Sequence, residues 1–262
     1  MQFTEQVIFN WIAGHLWPLF RIASFFMIIP IIGTQLVPAR IRLGLALMTT
    51  ILIAPLIEVI PVVDPLSLST IGVLIQQIFI GSTMGFMFVL FVQLFVVAGQ
   101  IIAMQMGLGF ASMVDPTNGV SVPVLSQIFL ICVTLLFLAT NGHLVMIEVF
   151  LESFRVWPIA GSLFTTDGFT PEILWKMIHR ISWMFASALL VALPVITSVL
   201  VVNISFGIMS RASPQMNVFA LGFPISQLFG MLIIWIGFIG FMPQFHRFTG
   251  DVFEFLRQIL GV

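Results

Sequence analysis

The 262-residue chain is 60% hydrophobic and only 7% charged, against roughly 25% charged in an ordinary soluble domain, which excludes a normal wet protein surface. Its net charge of -1 supplies neither a basic field for nucleic acid nor an acidic one for cations. The single Cys132 excludes an intrachain disulfide and a cysteine metal cluster.

Residues 65–114, 116–147, 181–210 and 212–246 contain no Asp, Glu, Lys or Arg. Each run exceeds the roughly 20 apolar residues that cross a bilayer core as helix. The pattern predicts an all-α integral membrane protein, one polytopic domain over 1–262, with about six apolar helical segments at 7–33, 41–60, 68–104, 122–148, 181–210 and 218–240. Arg21 is the first basic residue and no short apolar run ends at a small-residue cleavage site, so the N-terminus is expected to stay attached.

In chain order, Asn10, Gly14 and Pro18 follow one another at spacings of four on the approach to Arg21, near the middle of the first segment. An unpaired charge there costs at least about 2.5–3.5 kcal/mol, so Arg21 needs a partner. It is either a structural group, ion-paired or capping carbonyls, or part of a conduit. The third segment belongs to a charge-free run too long for one straight span, so it must bend, re-enter or turn back, and kinks or breaks are expected at the cluster Gly81-Ser82-Thr83-Met84-Gly85 and at Gly99, Gly107 and Gly109.

The run 107–125 then interrupts the apolar pattern. Asp115-Pro116-Thr117-Asn118-Gly119 is a turn signal. Met104, Met106, Phe110 and Met113 around it are flexible or bulky groups suited to sealing a gap. An interhelical loop and a cavity-lining element are both open at this point.

Farther on, Thr170-Pro171-Glu172 reads as a helix start, flanked by Trp157 and Trp175 as interfacial anchors. Asn203, Gly207 and Arg211, again spaced by four, form a polar face leading to Pro214, Gln215 and Asn217. The C-terminal stretch places Phe245, Phe248, Val252, Phe255 and Ile259 near helical spacing, which predicts an interfacial amphipathic helix.

Small residues recur at helix-contact spacing: Gly81 and Gly85; Ala103, Gly107 and Ala111; Gly222, Ser226 and Gly230. Such faces let backbones approach closely, within this chain or against other subunits. No nucleophile with a base, paired acids or metal-ligand spacing is present, and His15, His143, His179 and His246 are scattered. No enzyme, metal or cofactor is expected. The polarity of Arg40 and Arg42 against the later basic residues does not fix an orientation.

At these residues the sequence resembles the FliR family of flagellar biosynthetic proteins, relatives of the SctT subunit of injectisomes. The most specific run is NISFGIMSRASPQMNVFALGFP, carrying Asn203, Gly207, Arg211, Pro214, Gln215, Asn217, Phe219, Gly222 and Pro224. Arg21 with Pro30, Pro38 and Arg42, and the GLGFASMVDPTNG loop, add to it. The resemblance implies a subunit of the type III protein export gate in the bacterial cytoplasmic (inner) membrane, at the flagellar basal body.

It implies bent helical hairpins in a FliP/FliQ-like fused arrangement, FliP-like over 1–170 and FliQ-like over 171–262. The implied partners are FliP and FliQ, with FlhB and FlhA, unfolded flagellar export substrates and membrane lipid. The family's pore plug falls on 107–122, giving Met106, Gly107, Gly109, Phe110, Met113, Asp115, Pro116 and Gly119 a gating role. Arg21, Asn203, Gly207, Arg211, Pro214, Gln215, Asn217, Gly222 and Pro224 inherit structural or assembly roles. The alternative is a stand-alone small-molecule or ion transporter, which calls for ionisable coupling residues at mid-membrane.

Overall fold

The computed structural model describes residues 5–34, 37–57, 68–109, 112–114, 121–159, 171–212 and 218–260, with side chains from residue 14 onward except at 68–69, 112–114, 171 and 218–221. It is an all-α membrane protein of eight α-helices among these residues: α1 (Glu5–Ile28), α2 (Ala39–Ile53), α3 (Leu68–Gln105), α4 (Val124–Ala139), α5 (Gly142–Val156), α6 (Pro171–Ala212), α7 (Val218–Gly237) and α8 (Phe241–Leu260). One antiparallel ribbon, β1 (Ser112–Val114) with β2 (Ser121–Pro123), lies between α3 and α4, in the register Ser112↔Pro123, Met113↔Val122, Val114↔Ser121. Four helical stretches are long and apolar enough to cross a membrane: Ala39–Leu56, Thr70–Gln105, Glu172–Ala212 and Gly222–Leu260. A bent pair, Val124–Ala139 with Gly142–Val156, makes a possible fifth.

The internal organisation of three segments adds to the sequence expectation or differs from it. The long third segment is a single uninterrupted helix of 38 residues, on the order of 57 Å at 1.5 Å per residue. It does not break at Gly81, Gly85 or Gly99. A break in an apolar medium leaves backbone groups without water to pair them, and that outweighs the roughly 1 kcal/mol propensity cost of a helical glycine. The fourth segment does break: Thr140 and Asn141 separate α4 from α5, whose axes differ by 72°. Asn141 takes the left-handed conformation, with φ 55, which Asn tolerates better than most residues. Finally, α7 continues through a 3₁₀ turn (Phe238–Gly240) into α8.

The chain forms two compact units, residues 1–90, 137–180 and 251–262, and residues 91–136 and 181–250. In the first, Phe25 of α1 stacks on Phe150 of α5, centroids 4.1 Å apart, and meets Phe88 of α3 edge-on. Gly81 and Gly85 are the reason α1 fits so closely on α3. A Cβ at Gly81 would strike the Arg21 carbonyl and the Ser24 hydroxyl, and one at Gly85 would lie 3.2 Å from the Phe25 carbonyl. The small-residue face is thus used inside the chain.

In the second unit, Phe91 and Phe95 of α3 pack against Phe245 of α8, and Phe95 also meets Phe241 and Phe248. Gly99 admits α4: a Cβ there would be 2.8 Å from the Ser126 Cα. The helix α8 is amphipathic, as its spacing predicts, yet its apolar stripe does not lie open to a membrane interface. Phe241, Phe245, Phe248, Val252, Leu256 and Leu260 are buried, whereas Phe255 and Ile259 are only partly so. Aromatic side chains of the same chain supply a close-packed partner that lipid tails cannot match. Trp157 is likewise buried rather than interfacial, and Trp175 is 64% exposed.

Candidate functional site

Arg21 sits fully buried on α1, where all its partners are neutral. Its Nε donates to Gln77 Oε1 of α3 at 2.7 Å, Nη1 to the Ser153 carbonyl at 2.9 Å, and Nη2 to the Trp157 carbonyl at 2.8 Å. The Phe154 ring lies beneath the guanidinium, 4.2 Å from Cζ to centroid. Ser153 lies in the last turn of α5 and Trp157 just past its end, where the helix dipole is negative; the Ser153 carbonyl also accepts from the Trp157 N–H at 3.0 Å, so the Arg21 guanidinium adds a second donor to it. A guanidinium is suited to this place, because its fork of donors reaches several acceptors at once. Arg21 therefore ties α1, α3 and the C-terminal end of α5 together, in the carbonyl-capping manner. A second arginine holds the turn after α1: Arg42 Nε donates to the Val37 carbonyl at 3.1 Å.

The end of α3 is built for a sharp exit. Gly107 has φ +75, a conformation that costs an L side chain about 1–2 kcal/mol. Its N–H donates to the Met104 carbonyl at 3.2 Å and the Leu108 N–H to the Ala103 carbonyl at 2.8 Å, the pairing of a Schellman cap. Met106 is buried, its side chain seated on Gly230 of α7, where a Cβ would come within 2.6 Å of it. The Phe223 ring approaches Gly107, and Met104 Sδ lies against Gly109. The ribbon follows, with Met113 in β1 opposite Val122. Phe110, Asp115, Pro116 and Gly119 lie outside the described residues. The turn that the sequence places at 115–119 also lies outside the described residues.

The polar face of α6 is only partly engaged. Ser226 of α7 donates to Asn203 Oδ1 at 3.0 Å. Gly207 has nothing within 4 Å of where its Cβ would be, and Arg211 is exposed in the last turn of α6. Gly222 is half-buried and Pro224 exposed, both within α7, and Pro214, Gln215 and Asn217 fall outside the described residues. Sequence reasoning did not find Gln77, Ser153, Phe154, Phe223 or Gly230 as partners of these residues. For Gln77 a signal existed, since a glutamine pair in a charge-free apolar helix asks for a buried polar partner as much as Arg21 does.

The sequence matches the family described as "Bacterial export proteins, family 1" over residues 12–252. The chain belongs to this family. Within the bacterial export proteins it is 32% identical to the flagellar biosynthetic protein FliR of Escherichia coli (strain K12), the alignment covering 100% of this chain and 98% of that protein. It is 32% identical to FliR of Pectobacterium carotovorum subsp. carotovorum over 99% and 97% of the two chains. FliR of Bacillus subtilis (strain 168) is 27% identical over 92% of each. Such coverage of an export family from end to end includes both arginines, the α3 exit and the α6 face.

Proposed function

We propose that this chain is the FliR-type subunit of a flagellar type III protein export gate in the inner membrane at the basal body. It acts without catalysis, joining FliP and FliQ, with FlhB and FlhA beside them, to form an entry portal for unfolded flagellar proteins. The observation that carries this reading is the 32% identity to a flagellar biosynthetic protein over 100% of this chain and 98% of that one. Large exposed apolar residues on α6 and α7, among them Ile208, Leu228 and Trp235, support a chain that lives among lipid and other subunits. Within the same reading the segment 107–122 is the seal of the portal, with Phe110 and Met113 as closing groups and Gly107 and Gly109 as its pivot.

Capture of a tagged copy expressed at native level tests the assignment. FliP and FliQ relatives should co-purify in one stable particle, and deleting the chain should abolish motility. A monodisperse monomer that restores motility in cells lacking those partners would overturn it. The transporter alternative draws no support from Arg21, whose donors are directed at helix carbonyls and a glutamine.

A further inference from the structure

A cleft of about 770 Å³ opens in the first unit, a size within the roughly 300–1,000 Å³ of small-molecule sites. Its floor is apolar, made by Ile53 at the end of α2, by Ile57 after the 3₁₀ turn Ala54–Leu56 that follows it, and by Leu151 and Phe154 of α5. The floor is also fixed in place, since the Phe154 ring is clamped by the Arg21 guanidinium at 4.2 Å. Its rim carries charge of both signs: Glu148 and Glu152, one helical turn apart on α5, and Arg155. Arg155 Nη1 pairs with Glu152 Oε2 at 3.2 Å and is 82% exposed, so it is free to turn toward a better anion. Among the described residues Glu148 has no ion-pair partner.

In a membrane protein, charged rims belong at headgroup depth and apolar floors at acyl-chain depth. The natural complement of this cleft is an amphiphile whose head bears a cation and an anion close together. We propose that the cleft binds a phospholipid with a primary ammonium headgroup, a phosphatidylethanolamine. Its ammonium donates hydrogen bonds to the Glu148 and Glu152 carboxylates, its phosphate accepts from Arg155, and an acyl chain lies along Ile53, Leu151 and Phe154. A quaternary ammonium head has no N–H to donate to the carboxylates. An anionic glycerol head meets two carboxylates against one guanidinium and is repelled. Of these three heads only the amine satisfies every group of the rim.

The test uses the intact particle purified from cells, delipidated and re-equilibrated with equal amounts of phosphatidylethanolamine, phosphatidylcholine and phosphatidylglycerol. Mass spectrometry then counts retained lipid per copy of this chain. One phosphatidylethanolamine should be retained in preference to phosphatidylcholine by roughly tenfold, the scale of one charge-assisted hydrogen bond. The Glu148→Gln/Glu152→Gln variant should bring the two toward parity, while Arg155→Gln should weaken both alike, because the phosphate is common to them. Equal retention of the two lipids by the unmodified particle would overturn the proposal, and that arm depends on no substitution. So would shielding of the Glu148→Cys variant from maleimide in the delipidated particle, which would assign the cleft to a partner subunit.

Discussion

Replacing Arg21 by methionine keeps the length of the side chain and removes every donor it carries. The guanidinium makes hydrogen bonds of 2.7, 2.9 and 2.8 Å to Gln77, Ser153 and Trp157. Hydrogen bonds to charged groups contribute about 1.5–3 kcal/mol each, a gross sum of roughly 5–9 kcal/mol. Part of this is offset, because the variant no longer desolvates a cation, a cost of several kcal/mol. The acceptors stay buried in either case, so a net loss of about 3 kcal/mol remains. For a chain of this size that corresponds to a fall of about 6–12 °C in melting temperature. Size-exclusion chromatography of detergent-solubilised protein after stepwise heating measures it. Arg21→Lys should recover less than half of the loss, since three different nitrogens of the arginine serve three acceptors and lysine offers one. A methionine variant melting within about 2 °C of the parent would refute the argument that the guanidinium holds the end of α5.

Other expectations follow from the same contacts. Gly81→Val should cost about 1–3 kcal/mol by overpacking α1 against α3, while Gly237→Ala, with open space around it, should leave melting unchanged. Gly107→Ala should cost about 1–2 kcal/mol because φ is +75 there, read as a lower melting temperature with the particle still assembled. Gly207→Leu and Arg211→Ala, both at exposed positions of α6, should leave the melting of the isolated chain unaltered and reduce co-purification of partner subunits; unchanged co-purification would remove both residues from the interface. Deleting 111–119 should make cells permeable to small solutes while the particle still forms, and unchanged permeability would place the seal in other subunits.

The class of the fold was legible because charge is so sparse: four long runs without Asp, Glu, Lys or Arg admit little besides membrane helices. The meaning of the glycines was not. In sequence, Gly81, Gly85 and Gly107 look alike, and all three suggest a kink or break, which the chain makes only at Gly107, just past the end of α3. Only the tertiary neighbours separate them, with α1 lying on the first two and a left-handed cap at the third. The break that does occur, at Thr140-Asn141-Gly142, carried an ordinary turn signal that the surrounding apolar run obscured. For α8 the period was readable and the surface it faces was not, because hydrophobic spacing says which side seeks burial and nothing about what covers it. Arg21 was legible as a residue in need of partners. Which of the two open readings holds depends on contacts 56 and 132 residues away in sequence.

The distribution of burial argues that the chain uses its helices unequally. In the apolar window of Thr70–Gln105, 61% of residues are buried by the rest of the chain, against 28% in Glu172–Ala212, 22% in Ala39–Leu56 and 17% in Gly222–Leu260. A helix with so little lipid-facing surface must be held by protein contacts, and the glycines and phenylalanines of α3 supply them within each unit. The open surface then falls to α2, α6 and α7, and of these α6 and α7 combine large apolar groups such as Ile204, Ile208 and Leu228 with Gly207 and Arg211. Lipid alone would suit the apolar residues but give no packing partner to the small face at Gly207 and no fixed acceptor to the Arg211 guanidinium in the last turn of the helix. A neighbouring helix would use both, since a glycine lets it approach closely and a guanidinium can cap or bridge it. The residues that look least finished in the single chain are therefore those that an assembly would complete, and the co-purification of the Gly207 and Arg211 variants is where that argument stands or fails.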